Sequence, residues 1–373
     1  MKLRVGIPRE VKPGENRVAM TPQGVDELCR AGADVRVQAG AGHESGFPDG
    51  DYAAVGGIVV DAASSSWDAD LVVKVKEPIP SEFPFLCERT ALFTYLHLAA
   101  LPELTDELLK RRVTAIAYET VSVGGKLPLL RPMSEVAGIL AVQVGARALE
   151  KSCGGRGVLL SGASGVPPGR VVVIGAGTAG RAAARTAAGV GAEVAILDVS
   201  PDSLSLAARE IPGMVRTVLS TPETIASEVA GADLVISTVL VIGDKAPVLI
   251  TRELLRKMKR GSAIVDIAID QGGSVESSRP TTHASPYFVE EGIVHYCVAN
   301  MPAAVPRTST FALTSATLPY ILALAREGVV EALRNTPALR SGLNTFRGKV
   351  TCEGVAKALG KLYTPPETLL SGL

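Results

Sequence analysis

Three ionisable side chains in the first third of the chain stand where an apolar run meets a loop. Arg17 lies in EVKPGENRVAMTP, after the first such run; Lys76 closes LVVKVKEP just before Pro78; His97 closes ALFTYLHLAA. A guanidinium and an ammonium can hold a carboxylate, and an imidazole titrates near neutrality and can exchange protons with a reacting group. Each residue type also has an ordinary use, as a solvated loop arginine, a surface lysine or a histidine satisfied inside a core. Lys74 has the same parity as Lys76, so one of the two is open to reading as a plain surface lysine.

Further along, SAIVDIAIDQGG places Asp266 and Asp270 in an otherwise apolar run that ends in Gly272 and Gly273. A buried carboxylate is costly unless it is paired or functional. Asp270, nearer the loop, is the better candidate for chemistry, and Asp266 reads as a structural partner within the sheet. His43 and His283 sit in polar loops and read as solvent-exposed. The five cysteines, Cys29, Cys87, Cys153, Cys297 and Cys352, are odd in number and scattered, with no C-x-x-C pair and no histidine at metal-ligand spacing. They predict reduced thiols in the cytoplasm and no metal site.

The clearest spacing is VVVIGAGTAG at 171–180, an apolar run that ends in Gly175-x-Gly177-x-x-Gly180 and opens into RAAARTAAGVG. Gly175 allows a tight turn, Gly177 lets backbone approach a pyrophosphate, and Gly180 lets a helix pack on a strand. The helix N-terminus then offers unpaired N–H groups to the phosphates. The next run, AEVAILD, ends in Asp198, close to the ~20-residue offset at which an acidic side chain meets the adenosine ribose. No arginine lies between Val199 and Ala208 to receive a 2′-phosphate, so the pattern favours NAD over NADP. The other glycine-rich stretch, GASGVPPG, lacks the Gly-Lys-Ser/Thr ending of a P-loop and reads as a structural turn.

These residues need a scaffold, and the pattern around them is α/β. Short apolar runs alternate with amphipathic stretches, the signature of parallel sheets. LRVGI (3–7), DVRVQA (34–39), LVVKV (71–75), ALFTYL (91–96) and TAIAYE (114–119) predict strands. TPQGVDELCRAG predicts a helix with Thr21 as N-cap and Pro22 in its first turn. Residues 134–151 predict one long helix. A second series of strands starts at VVVIGAG and continues through AEVAILD, ADLVIST, SAIVDIAI and GIVHYCVAN; from Ser309 onward the pattern is helical with no further strand. The expected architecture is two Rossmann-like domains, with a nucleotide-binding one (131–308) inserted into a discontinuous substrate domain (1–130 and 309–373).

The 373 residues suffice for two such cores, and 47% hydrophobic with 20% charged residues excludes a disordered chain. Lys and Arg number 38 against 38 Asp and Glu, which removes the one-sided field expected of a nucleic-acid or anionic-membrane binder. The N-terminus has charges inside its first apolar stretch and so lacks a signal-peptide core. No apolar run is expected to reach the ~18 residues of a membrane span. A small-molecule substrate is therefore expected.

As a set, the blocks VGIPREVKPGENRVAMTP, VKVKEP, LFTYLHLAA, AYETV, LPLLRPMSEVAG, VVVIGAGTAG, VDIAIDQGG, SRPTTH and YCVANMPAAVPRTST resemble, in order, hallmark segments of the L-alanine dehydrogenases. That family is shared with the NAD-binding subunit of nicotinamide nucleotide transhydrogenase, and the similarity spans nearly the whole chain. It implies NAD-dependent oxidative deamination of L-alanine to pyruvate and ammonium, with the reverse reductive amination, in a homohexamer. It implies Arg17 and Lys76 as substrate ligands, His97 as the acid/base and Asp270 as its catalytic partner. Cofactor contacts would fall, besides the three glycines, on Ser134, Thr178, Ala179, Asp198, Ser220, Val239, Leu240, Ile267, Arg279, Val298, Asn300 and Met301. Two departures stand out: Ile139 where relatives often carry a basic residue, and Arg131 where small residues are usual. The KEP block, rather than the transhydrogenase form of that segment, favours alanine dehydrogenase; the alternatives are a soluble transhydrogenase-type subunit and a catalytically inert NAD-binding sensor, which would keep the glycine loop but tolerate loss of His97.

Overall fold

The computed structural model describes residues 2–239 and 246–372. The chain forms two compact units, unit 1 from Met1–Met133 and Val305–Leu373, and unit 2 from Ser134–Ala304. The boundaries expected at 130/131 and 308/309 thus move to Met133/Ser134 and Ala304/Val305.

In chain order, unit 1 begins with β1 (Arg4–Ile7), β2 (Asp34–Gln38), β3 (Ile58–Val60), β4 (Leu71–Val73), β5 (Ala91–Thr94) and β6 (Thr114–Ala117). Unit 2 contributes β7 (Arg170–Ile174), β8 (Glu193–Asp198), β9 (Val215–Leu219), β10 (Leu234–Ser237), β11 (Ala263–Asp266), β12 (Tyr287–Glu290) and β13 (Ile293–Tyr296). The chain then returns to unit 1 as β14 (Leu343–Phe346) and β15 (Lys349–Val350), two strands where only helix was expected. They are short, and they pair antiparallel, β14 with β6 and β15 with β14, so no βαβ rhythm announces them. Among the described residues these strands form an eight-stranded sheet, ordered β15-β14-β6-β5-β4-β1-β2-β3, and a seven-stranded one, ordered β12-β13-β11-β10-β7-β8-β9. Apart from β12, β14 and β15 the ladders are parallel.

Each sheet is covered by helices that bury aliphatic side chains. In unit 1, Val72, Leu92 and Ala115 pack with Leu104 and Leu108 of the helix Pro102–Lys110. In unit 2, Val172, Leu197, Val235 and Ile264 pack with Ile225 and Val229 of the helix Pro222–Ala230. Full burial of each such Val, Leu or Ile contributes ~1.5–3 kcal/mol. The helix Pro22–Arg30 starts as its sequence predicts: the Thr21 hydroxyl accepts the Gly24 N–H at 3.2 Å, and Pro22 occupies the first turn. The long helix expected at 134–151 runs from Arg131 to Ala148.

Among the described residues one helix, Pro306–Glu327, has the length and composition to cross a membrane, which corrects the expectation that no segment does. Hydroxyl residues interrupt its apolar pattern and disguise it. Those hydroxyls have partners in unit 1: Thr310 Oγ1 accepts the Val18 N–H and Thr314 Oγ1 the Thr21 N–H, each at 3.2 Å. The helix is therefore part of the packing of unit 1, holding the loop that follows Arg17.

Candidate active site

Unit 1 gathers charged side chains at the C-terminal ends of β1, β4, β5 and β6, the edge where parallel α/β sheets place ligands. Arg17, on the loop after β1, is buried, and so is Glu15 beside it. Glu15 Oε1 accepts the Arg17 N–H at 3.0 Å and its Nε–H at 2.7 Å, while Oε2 lies 2.5 Å from Nη2. Nη1 lies 3.0 Å from the Met133 sulfur. Burial opposes the guanidinium charge, but Glu15 outweighs it and the net pKa displacement is upward. Arg17 is thus a fixed buried cation, not a solvated loop charge.

The two lysines of VKVK separate clearly. Lys74 is wholly buried, its ammonium 3.1 Å from Glu10 Oε2 and 2.7 Å from Glu82 Oε1. Burial pulls its pKa down, and the two carboxylates more than reverse that. Glu10 is itself pushed up, chiefly by burial. Lys76 is half-buried on the loop after β4, and its neighbour Glu77 is ion-paired with Lys12.

His97 stands just beyond β5 in a left-handed conformation, φ 50°, with 45% of its side chain exposed. That exposure excludes a core histidine. Its backbone N–H donates to Glu119 Oε1 at 2.6 Å, and the Leu96 N–H donates to both Glu119 oxygens at 3.2 Å. Glu119 Oε1 also lies 3.9 Å from His97 Nδ1, so an imidazolium would face a carboxylate. The Tyr95 ring lies parallel to the imidazole with centroids 6.1 Å apart, and the Tyr95 hydroxyl donates to the Leu129 carbonyl at 2.5 Å. Glu119 did not stand out in the sequence. Only its place in AYETV, at the end of a predicted strand, could have signalled it.

Unit 2 builds its edge from backbone. Gly175 turns the chain at φ 102° after β7, and a Cβ on Gly180 would sit 1.7 Å from the Gly175 carbonyl oxygen, so helix and strand meet only with glycine there. A Cβ on Gly177 would meet nothing within 4 Å. Open space at the second glycine, at the N-terminus of the helix Thr178–Gly189, fits a dinucleotide pyrophosphate. Asp198 ends β8; its Oδ2 accepts the Ala176 N–H at 2.6 Å and its Oδ1 the Ser200 N–H at 2.8 Å. One carboxylate therefore ties the glycine loop to the end of β8.

The other expected cofactor residues of unit 2 follow the same strand ends. Ser220 comes directly after β9, its N–H on the Asp198 carbonyl at 2.9 Å. Val239 follows β10, Ile267 follows β11, and Val298, Asn300 and Met301 follow β13. Thr178 and Ala179 open the helix after the glycine loop, and Ser134 lies in the first turn of Arg131–Ala148. Arg279 is exposed, stacks over Phe288 at 4.1 Å and pairs with Glu290 at 3.5 Å. Leu240 lies outside the described residues.

The two aspartates of VDIAID divide. Asp266 is fully buried and accepts from Ala268 N–H, Ser274 N–H and the Ser278 hydroxyl. Asp270 is exposed beside Asn300, whose N–H lies 3.4 Å from Asp270 Oδ2. Of the two loop histidines, His43 is exposed, whereas His283 is half-buried with Nε2 enclosed. Among the described residues no group of three His, Cys, Asp or Glu is placed to hold a metal ion.

Two family models cover nearly all of this arrangement: the N-terminal domain of alanine dehydrogenase/PNT matches residues 6–137 and its C-terminal domain residues 141–353. The chain belongs to the alanine dehydrogenase/PNT family. It is 52% identical to alanine dehydrogenase of Bacillus subtilis over 367 residues, covering 98% of this chain and 97% of the relative. It is 50% identical to alanine dehydrogenase 2 of Staphylococcus aureus over 370 residues, covering 99% and 100%. A solved L-alanine dehydrogenase superposes with a TM-score of 0.93 at 46% identity, covering 96% of this chain and 99% of that one. A transhydrogenase from Sinorhizobium meliloti superposes with a TM-score of 0.80 at 25% identity, covering 94% and 99%. Of the two departures from the alanine dehydrogenase/PNT pattern, Arg131 is exposed at the start of its helix and Ile139 is half-buried on it.

Proposed function

We propose that unit 1 binds the substrate and unit 2 the cofactor in the NAD-dependent oxidative deamination of L-alanine to pyruvate and ammonium, with reductive amination as the reverse. The observation that carries this reading is the edge of unit 1: Arg17, Lys76 and His97 follow β1, β4 and β5, adjacent strands of one sheet, and His97 is exposed with a carboxylate behind it. Named alanine dehydrogenases at 50–52% identity over nearly their full length support the same activity.

Arg17 and Lys76 hold the substrate carboxylate, Arg17 as a guanidinium already locked by Glu15. Bound nicotinamide supplies the hydride acceptor for the substrate Cα. His97 takes the proton released as water adds at that carbon and returns it in the reverse direction; Glu119 fixes the imidazole's backbone and offsets its charge when protonated. Asp270 offsets the positive charge that develops on the substrate nitrogen and orients water or ammonia. The glycine loop takes the pyrophosphate, and Asp198 takes the ribose hydroxyls and disfavours a 2′-phosphate, which makes NAD the cofactor. A homohexamer in the cytoplasm completes the reading, supported by the family and by five scattered cysteines without a pairing motif.

Following NAD and NADP reduction with a panel of L-amino acids tests this. The expected result is an L-alanine-dependent NADH signal with little NADP activity. No signal with any amino acid would overturn it and turn attention to hydride exchange between nucleotides, to which the transhydrogenase likeness points.

A further inference from the structure

We infer that Lys74, which touches no reacting group, is a positioning residue: it clamps together the two loops that carry Arg17 and Lys76. The inference rests on reading Arg17 and Lys76 as the ligands of the substrate carboxylate.

The Lys74 ammonium lies between two carboxylates, Glu10 Oε2 at 3.1 Å and Glu82 Oε1 at 2.7 Å, and the three side chains are 0%, 2% and 5% exposed. Each carboxylate spends its other oxygen on backbone. Glu10 Oε1 accepts the Val75 N–H at 2.6 Å, and Glu82 Oε2 accepts the Ile79 N–H at 3.0 Å. Val75 and Ile79 bracket Lys76, so the segment carrying Lys76 is held on both sides by groups that Lys74 neutralises. Glu10 lies on the loop after β1, which also carries Arg17. A second tie between the same loops is the ion pair of Lys12 with Glu77. Trp67 closes the site, its ring centroid 5.8 Å from Nζ.

A buried ionic cluster of this kind is weak evidence for stability, since an apolar replacement of similar volume often packs as well. It does specify geometry. Without the ammonium, Glu10 and Glu82 would face each other uncompensated. One of them would have to turn away, releasing its backbone N–H and the loop attached to it, or take a proton, which weakens its hold on that N–H. Carboxylate binding depends on two cations being held at a fixed separation, so the loss should appear in substrate affinity.

The test uses the full-length protein and steady-state reductive amination, with the KM for pyruvate and the KM for NADH measured separately, and circular dichroism to establish folding. Lys74→Met should raise the pyruvate KM roughly tenfold or more and leave the NADH KM unchanged. Glu82→Gln keeps the ammonium and Glu10 while weakening one clamp. It should raise the pyruvate KM by less, and it decides the question if Lys74→Met does not fold. A folded Lys74→Met with a normal pyruvate KM overturns the inference, as does a Glu82→Gln protein in which both KM values move together. Lys76→Met is run alongside: if it binds pyruvate normally, the reading of the substrate ligands has failed. If it loses pyruvate while the Lys74 and Glu82 variants do not, only the positioning role has.

Discussion

Unit 1 orders its parallel strands β3-β2-β1-β4-β5-β6, and unit 2 orders its own β9-β8-β7-β10-β11-β13, which is the same sequence of crossovers. The order reverses between β1 and β4 in one and between β7 and β10 in the other, and the proposed ligand groups Arg17 and Lys76 follow the first pair as the glycine loop follows β7. The contents differ. In the proposed reading unit 2 meets its ligand with main chain: its glycines leave room for close approach, and one aspartate braces the loop. In the same reading unit 1 meets its ligand with side-chain charge, and its buried cations are each held by carboxylates: Glu15 for Arg17, Glu10 and Glu82 for the positioning residue Lys74. A phosphate-bearing cofactor is bound along its backbone-like spine and suits repeated N–H donors. A three-carbon amino acid offers one carboxylate and one reacting carbon, and suits a few oriented charges.

The largest expected effect separates chemistry from binding. His97→Ala should lower turnover by roughly 10²–10⁴-fold while the melting temperature and NADH binding stay near normal, because the side chain is exposed and unit 2 is untouched. Normal turnover in a folded His97→Ala protein would remove the acid/base from unit 1 and collapse the contrast.

Gly180→Ala attacks the other side of the comparison. Its Cβ would meet the Gly175 carbonyl oxygen at 1.7 Å, so the helix and strand must part. The variant should lose about 1–3 kcal/mol of stability, read as a lower melting temperature, together with NADH affinity by fluorescence titration. Unchanged melting and NADH binding would show that the loop is not held by close backbone approach.

Asp198→Ala sharpens the comparison more gently. The NAD over NADP preference should fall roughly tenfold, and NAD binding itself should weaken because the Ala176 N–H loses its acceptor. An intact preference would place the discrimination elsewhere.

The two halves were not equally legible in sequence, and the reason is chain locality. The glycine loop and Asp198 lie within 24 residues of one another, 175 to 198, and their spacing carries the geometry. The unit 1 network joins Glu10, Lys74 and Glu82, or His97 and Glu119, across separate strand ends, and no short spacing announces it. Parity could not separate Lys74 from Lys76, because side-chain alternation on a strand says nothing about the loops after β1 and β4 closing over one of them. Strands β14 and β15 escaped notice for a similar reason: LNTF and KV are too short to show a period, and their partners lie far back in the chain or are antiparallel. Asp266 was distinguishable from Asp270 because distance from the glycine pair tracks exposure there.

The division of labour between the units is tested most directly by paired KM measurements on two variants. Gly177→Ala adds a methyl group to open space, so the fold should be unaffected while the room for the pyrophosphate is reduced. Arg17→Met combined with Glu15→Gln removes a buried ion pair from both sides, avoiding the ~3–5 kcal/mol penalty of stranding one charge. The account predicts that Gly177→Ala raises the KM for NADH and leaves that for pyruvate, and that the double variant does the reverse. Folded variants in which the effects cross, with Gly177→Ala moving pyruvate or the double variant moving NADH alone, would contradict it.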